Sequence, residues 1–415
     1  MKFLHLADLH LGKSIHGVSL LESGDQRAWV DGFLELAGEL RPDAVLIAGD
    51  IYDRSAPPGD AVALLDSMLT ALAEMGVPVL MAAGNHDSGQ RLAFGGNLLA
   101  KQKVHISGVL SRELAHVTLE DPDGPVTFWL MPYVFPALVA QKLEDGDIHD
   151  YDTAVRKLLA RQDIDFSRRN VLIAHQNVTA DGKEVLRGGS ESMVGGVGQV
   201  DYRTFDGFDY VALGHIHSSY PVGRENVRYA GSPLCYHFEE TRQPAKGPLL
   251  VKLGPKGDAP QVSVRTIPPL HPLRKITGTY EEVREAELKN TARGEYLSIL
   301  LTDTRITPEI SAFFRSLSES RGSILMELLS EYRPFGEAQT VPAAGAAAEK
   351  AVEELFVDFY ADRCGGRLPG REEQALLQFA GEQVRNSDPE GGKNSPTEKE
   401  IEALLNFALG QEGAE

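Results

Sequence analysis

Apolar positions along this chain fall in blocks whose period changes from one block to the next. Short continuous runs, Phe3 to Ala7, Ala44 to Ala48 and Val77 to Ala83, read as strands buried on both faces. Between them, Asp25 to Leu40 and Asp60 to Glu74 carry the spacing of amphipathic helices. Strand, helix, strand at this rhythm predicts α/β layers with a largely parallel sheet. Further runs follow with shorter connections: Val126 to Met131, Val171 to Ala174, Tyr210 to Leu213, Val227 to Ala230 and Leu249 to Leu253. These are expected to form a second, partly antiparallel sheet packed on the first. The fold class expected is therefore α/β, a layered sandwich of two mixed sheets flanked by helices over residues 1–268.

Pro268-Pro269, with Pro272 close behind, punctuates the chain. Beyond it the pattern predicts a strand near Leu273 to Thr277, a helix Glu281 to Leu288, a strand Tyr296 to Leu301, a helix Pro308 to Leu317 and a strand Ile324 to Leu329. That βαβαβ unit would make a small α/β domain over 269–335. Residues 336–348, with an alanine and glycine run, read as a linker. Over 349–415 a helical segment is expected. Val352, Leu355, Phe356, Phe359 and Tyr360 share one helical face, Leu376 to Ala380 suggest a second helix, and Ser395-Pro396-Thr397-Glu398 is a helix start. These helices would either pack on the body or dock a partner; their pattern alone does not choose.

A length of 415 residues predicts two or three domains. No apolar stretch reaches a membrane span, and Met1 leads straight into a strand with no secretory leader. Cys235 and Cys364 are far apart and outside any metal-ligand spacing, which suits a reducing cytoplasm. Charge changes the picture more. The formal net charge is −19, and residues 336–415, with 16 acidic and 7 basic side chains, carry −9 of it. An acidic body argues against strong unassisted binding of nucleic acid by counterion release. A nuclease remains open if a partner supplies the basic surface.

The chemistry sits at strand ends. Asp8-Leu9-His10, Gly49-Asp50, Gly84-Asn85-His86-Asp87 and Gly214-His215-Ile216-His217 each follow an apolar run, and His175 follows another. Parallel α/β sheets gather binding groups beyond the carboxyl ends of their strands, so these segments should converge on one edge. Singly each is weak: Asp-x-His is a common triplet, Asp50 could cap a turn, and a lone histidine after a strand is more often structural. Together they offer carboxylate, amide and imidazole ligands that suit manganese, iron or zinc over calcium. Alternation would place His215 and His217 on one side of an extended segment. A two-metal hydrolytic site is the leading expectation, since two cations roughly 3.5–4 Å apart clamp the oxygens of an in-line displacement.

In this order the motifs resemble the calcineurin-like metallophosphoesterases. Gly84 to Phe94, Val194 to Val200, Tyr210 to His217 and Tyr229-Ala-Gly-Ser-Pro233 narrow the resemblance to the SbcD nucleases of bacterial SbcCD complexes. Cys235-Tyr-His-Phe-Glu-Glu240 departs from the aliphatic and serine-containing run expected there, which leaves His237 without a role. The resemblance implies a first metal held by Asp8, His10 and His217, a second by Asn85, His175 and His215, and Asp50 bridging. It implies that His86 contacts the scissile phosphate and assists the leaving oxygen; His16 is a possible further substrate contact. The metals implied are two Mn2+, with Mg2+, Fe2+ or Zn2+ as alternatives.

The resemblance further implies exonuclease action on duplex ends and endonuclease action on hairpins or blocked ends, in DNA repair and recombination. Its partners would be an SbcC-type coiled-coil ATPase, docked by the C-terminal helices, and a second copy of this chain in a heterotetramer. The location implied is the cytoplasm, at the nucleoid. Two rivals stand beside this reading: a phosphoesterase for small molecules or phosphoproteins, and a noncatalytic scaffold that keeps metals for structure.

Overall fold

A computed structural model of the chain describes residues 1–180, 198–242 and 246–332. The expected linker at 336–348 and the helices at 349–415 lie outside the described residues, as does most of Val194 to Val200. The described residues form one unit, Met1–Tyr332.

Two six-stranded mixed sheets make its centre. In the first, Lys2–Leu6, Ala44–Ala48, Val79–Ala82 and Val104–Ser107 run parallel, joined by helical crossovers. In the second, Gly124–Met131, Arg169–His175, Tyr210–Gly214 and Arg224–Tyr229 are parallel, with antiparallel strands Ala115–Asp121 and Tyr220–Val222 at the edges. The sequence pattern assigns Leu249 to Leu253 to this second sheet, and the structure corrects that. Leu249–Lys252 pairs antiparallel with Lys2–Leu6 and so extends the first sheet. Its apolar run fits either sheet, and only pairing between distant parts of the chain decides between them.

Alternation explains why these strands read as unbroken apolar runs. Phe3, Leu46, Leu80, Phe128, Ile173 and Tyr210 point inward and form the core between the sheets. Their neighbours Leu4, Val45 and Val79 face the helices Asp25–Leu40 and Gly59–Glu74. Leu172, Val211 and Val227 face Pro136–Leu143 and Tyr151–Ala160 on the far side. Both faces of these central strands are thus dry, and a period of two has no polar face to show. Phe3 meets Phe128 and Tyr210 edge-on at ring-centre separations of 5.8 and 5.6 Å, which locks the two sheets together.

A third, three-stranded parallel sheet follows: Leu273–Gly278, Tyr296–Leu301 and Ile324–Ser330, with helices Tyr280–Lys289 and Pro308–Ser320. The first of these helices starts on a Thr279–Glu282 capping box. A buried junction joins this sheet to the body. The Tyr296 hydroxyl donates to Asp25 Oδ2 at 2.7 Å, and His271 Nδ1 lies 3.0 Å from the same oxygen.

One glycine ties the two large sheets where their strands end. A Cβ on Gly214 would lie 1.9 Å from the Ala48 carbonyl oxygen and 2.8 Å from His175 Nδ1. Gly214→Ala is expected to destabilise the unit by about 1–3 kcal/mol or more, because strand backbone cannot yield as a side chain can. Thermal unfolding of this variant beside the parent checks it; an unchanged midpoint would refute the close approach.

Candidate metal centre

Five strands of the two sheets end within reach of one another, and the chain turns sharply after three of them. Asp8, His10, Asp50 and His215 all have positive φ, at 54°, 41°, 49° and 100°. Non-glycine residues rarely hold this region, and clusters of them are typical of functional sites. The turns correct one expectation. His215 is not extended, so His215 and His217 do not share a side. Nδ1 of His215 lies 3.1 Å from Asn85 Oδ1, whereas His217 Nε2 lies 3.2 Å from His10 Nε2.

All seven expected ligands meet here. Donor atoms of Asp8, His10 and His217 form one group within 4.8 Å of each other, and Asp8, Asp50 and His175 form a second. His10, Asp50 and His86 form a third. Asp50 lies between the groups, with Oδ2 3.6 Å from His10 Nε2 and 3.3 Å from His175 Nε2. Asn85 Oδ1 is 3.1 Å from His175 Nε2. Gly84 makes room: a Cβ there would come within 2.1 Å of Asp50 Oδ1.

Backbone partners orient the rings. His175 Nδ1 lies 2.8 Å from the Ala48 carbonyl oxygen, an acceptor, so Nδ1 carries a proton and Nε2 faces the centre. Likewise His86 Nδ1 donates to the Asp53 carbonyl at 2.8 Å, which turns His86 Nε2 toward Asp50 Oδ2, 3.9 Å away. The His86 side chain is 38% exposed, in contrast to buried His10, His175 and His217, and stands on the solvent side.

Electrostatics favour a cation. Burial pushes the Asp8 carboxyl up to about 6 against the pull of His175 and His217. Burial acts on Asp50 in the same direction, but the charge and hydrogen bond of His175, with His10 and His86, outweigh it and hold Asp50 far below the carboxylate range. Burial lowers His175, yet Asp50 and Asp8 carry it up to about 9. His215 falls to about 3 through burial and then the charge of His175, and burial puts His10 well below its ordinary value. Neutral His10 and His215 therefore stand beside ionised Asp50, and the proton that Asp50 holds on His175 Nε2 is the one a bound cation would displace. Nε2 of His215 is buried and meets no hydrogen-bonding partner among the described residues. Two nitrogens about 2.1 Å from one cation would themselves be about 3.0–3.4 Å apart, the spacing of His10 and His217. Orphaned nitrogen, facing ligand atoms and buried carboxylate all fit a dinuclear metal site.

A model of the calcineurin-like phosphoesterases matches residues 1–219, and one of the type 5 capsule protein repressor C-terminal domain matches residues 269–363. The SbcD chain of the SbcCD nuclease from Staphylococcus saprophyticus is 34% identical over 308 residues, covering 72% of this chain and 78% of that protein. Its counterpart from Staphylococcus epidermidis is 32% identical, covering 73% and 79%. The chain belongs to the SbcD nucleases. It is a phosphodiesterase of the calcineurin-like family. A dimetal phosphatase from Danio rerio also aligns over 64% of this chain and 98% of its own, at 12% identity and a TM-score of 0.34.

Other residues of this SbcD centre escape sequence reasoning. Asp87 accepts the backbone N–H groups of Gly84, Ile51 and Tyr52 at 2.8, 3.1 and 2.9 Å, pinning the Asn85 loop to the Asp50 loop. Its place in Gly-Asn-His-Asp is visible in the sequence; its partners are not. The Tyr236 hydroxyl donates to the carbonyls of Asp8 and Leu9, and no local signal marks it. His16 Nδ1 lies 3.4 Å from Glu327 Oε1 of the third sheet, and His237 Nδ1 accepts the Glu239 N–H within its own turn. No described helix is long and apolar enough to cross a membrane.

Proposed function

We propose that this chain is the cutting component of an SbcCD-type complex, a two-metal DNA nuclease with exonuclease action on duplex ends and endonuclease action on hairpins or blocked ends. The observation that carries this reading is the buried set of carboxylates and imidazoles at the common edge of two sheets, in a chain of SbcD kinship. Asp8, His10 and His217 would hold one cation, Asn85, His175 and His215 the other, and Asp50 would bridge. Mn2+ suits these mixed ligands, with Mg2+, Fe2+ and Zn2+ as alternatives. Once bound, two such cations position an in-line displacement and stabilise the charge on its attacking and departing oxygens.

The chain's own residues do the rest. Asp50 fixes the loops through its oxygen to the His86 N–H at 2.9 Å, and Asp8 fixes His215 through an N–H bond of 3.0 Å. His86, with Nδ1–H committed to a carbonyl, would present Nε2 to the phosphate and, as the imidazolium, give its Nε2 proton to the leaving oxygen and be left neutral. Residues 269–335 would align DNA beside the centre. After the linker at 336–348, residues 349–415 would dock the base of an SbcC-type coiled coil, whose ATPase gates access. A homodimer within a heterotetramer, working in the cytoplasm at the nucleoid, completes the proposal. The charge of −19 supports the division of labour: the partner holds the acidic polymer and this chain cuts it.

Co-expression with a coiled-coil ATPase, followed by cleavage of end-blocked duplex DNA with and without ATP, tests this. Manganese is expected to support cleavage that a chelator abolishes, and removal of 349–415 is expected to uncouple it from ATP. Hydrolysis of nucleotides with no cut in duplex DNA, even beside the ATPase, would favour a small-molecule phosphoesterase instead.

A further inference from the structure

We infer that Glu240 is a positioning residue for one of the two cation positions: it fixes which nitrogen of His217 faces the centre and lends that ligand negative charge from behind. The inference rests on the two-cation reading above. Glu240 lies in the turn Phe238–Arg242 and is 1% exposed, in a segment whose pattern departs from the family run.

Its Oε1 stands 3.5 Å from His217 Nδ1, on the ring edge opposite His10. A carboxylate at that edge keeps the proton on Nδ1, so Nε2 offers its lone pair toward His10 Nε2, 3.2 Å away. The second oxygen, Oε2, receives the Lys246 ammonium at 2.8 Å and the Tyr236 N–H at 3.1 Å. Lys246 spends its other two donors on the His217 carbonyl at 2.8 Å and the Ser232 hydroxyl at 2.6 Å. One lysine therefore ties the carboxylate to the backbone of the histidine it orients. Tyr236, bonded to Glu240 through its N–H, reaches the Asp8 and Leu9 carbonyls through its hydroxyl, so the same turn braces a second ligand segment. The Lys246 ammonium at 2.8 Å is the counter-charge that keeps this buried carboxylate ionised.

The other cation position is backed differently. His175 is held by the neutral carbonyl of Ala48. The carboxylate nearest His175 Nδ1 is Asp8 at 3.9 Å, itself an expected ligand. Carboxylates outside the ligand set, Asp53 and Glu240, instead stand 3.5 Å from Nδ1 of His10 and His217. Removing the Glu240 charge should therefore weaken one cation and spare the other.

Titration calorimetry with Mn2+ on the full chain, metal-free at the start, tests this for the parent, Glu240→Gln and Glu240→Asp. The parent is expected to bind two ions of different affinity. Glu240→Gln should weaken one ion about 10–100-fold and leave the other within about twofold. Glu240→Asp should recover part of the loss; Glu240→Gln, which leaves the Lys246 ammonium without its carboxylate, should also lower the unfolding midpoint of the metal-free protein. Two unchanged affinities, or an equal loss at both positions, would each overturn the role of Glu240. A parent chain that binds no pair of ions would instead overturn the two-cation reading itself.

Discussion

An Asp50→Asn enzyme is expected to lose about three orders of magnitude or more of its phosphodiesterase activity, the largest effect of any single substitution in this chain. Asp50 lies within reach of both His10 and His175, with the same oxygen 3.6 and 3.3 Å from their Nε2 atoms. Its ionised form is what holds His175 up to about 9 and what would draw cations in beside the neutral rings of His10 and His215. The amide keeps the shape and removes the charge. Several kcal/mol of transition-state stabilisation go with it, and each 1.36 kcal/mol is a factor of ten in rate. Cleavage of a phosphodiester substrate under saturating manganese, beside a count of bound ions, measures this. Activity within about tenfold of the parent would show that Asp50 is a turn residue and no more.

The second large effect is expected at His86, and it separates chemistry from metal binding. His86→Ser should slow cleavage by about 10²–10⁴-fold, the usual worth of a positioned proton donor, while two ions remain bound. The orientation behind this is specific: Nδ1 is committed to the Asp53 carbonyl, and the exposed ring stands at the rim with Nε2 inward. His86 also shares a group with His10 and Asp50, close enough for a ligand. The ion count therefore decides between the two roles. If His86→Ser empties a cation position, His86 belongs to the metal shell and the proton falls to another group.

Much of this molecule is legible in the sequence because the legible part is local. The helix Asp25–Leu40 and the strand Ala44–Ala48 start and stop where hydrophobic period and turn residues say they should. The five elements between Leu273 and Ser330 likewise follow their patterns to within a few residues. The strand-end ligands are legible for the same reason: each polar residue interrupts an apolar run at the point where a parallel strand must leave its sheet.

What resists the sequence is pairing and direction. Leu249–Lys252 carries no mark saying that its edge belongs beside Lys2–Leu6, since an apolar run is compatible with either sheet. Alternation puts His215 and His217 on one side, and a positive φ at His215 separates them. Nothing local to His16 says that Glu327 of the third sheet stands 3.4 Å from its ring.

The sequence by itself determined the layers, the order of the ligand segments and the kind of chemistry they offer, because periodicity and residue type act over a few neighbours. Only the tertiary structure decided which nitrogen of each ring faces inward. That choice belongs to partners elsewhere along the chain: the Ala48 carbonyl behind His175, the Asp53 carbonyl behind His86, and Glu240 behind His217. A ring's two nitrogens are alike in sequence, and only what stands behind one of them makes the other a ligand or a proton donor.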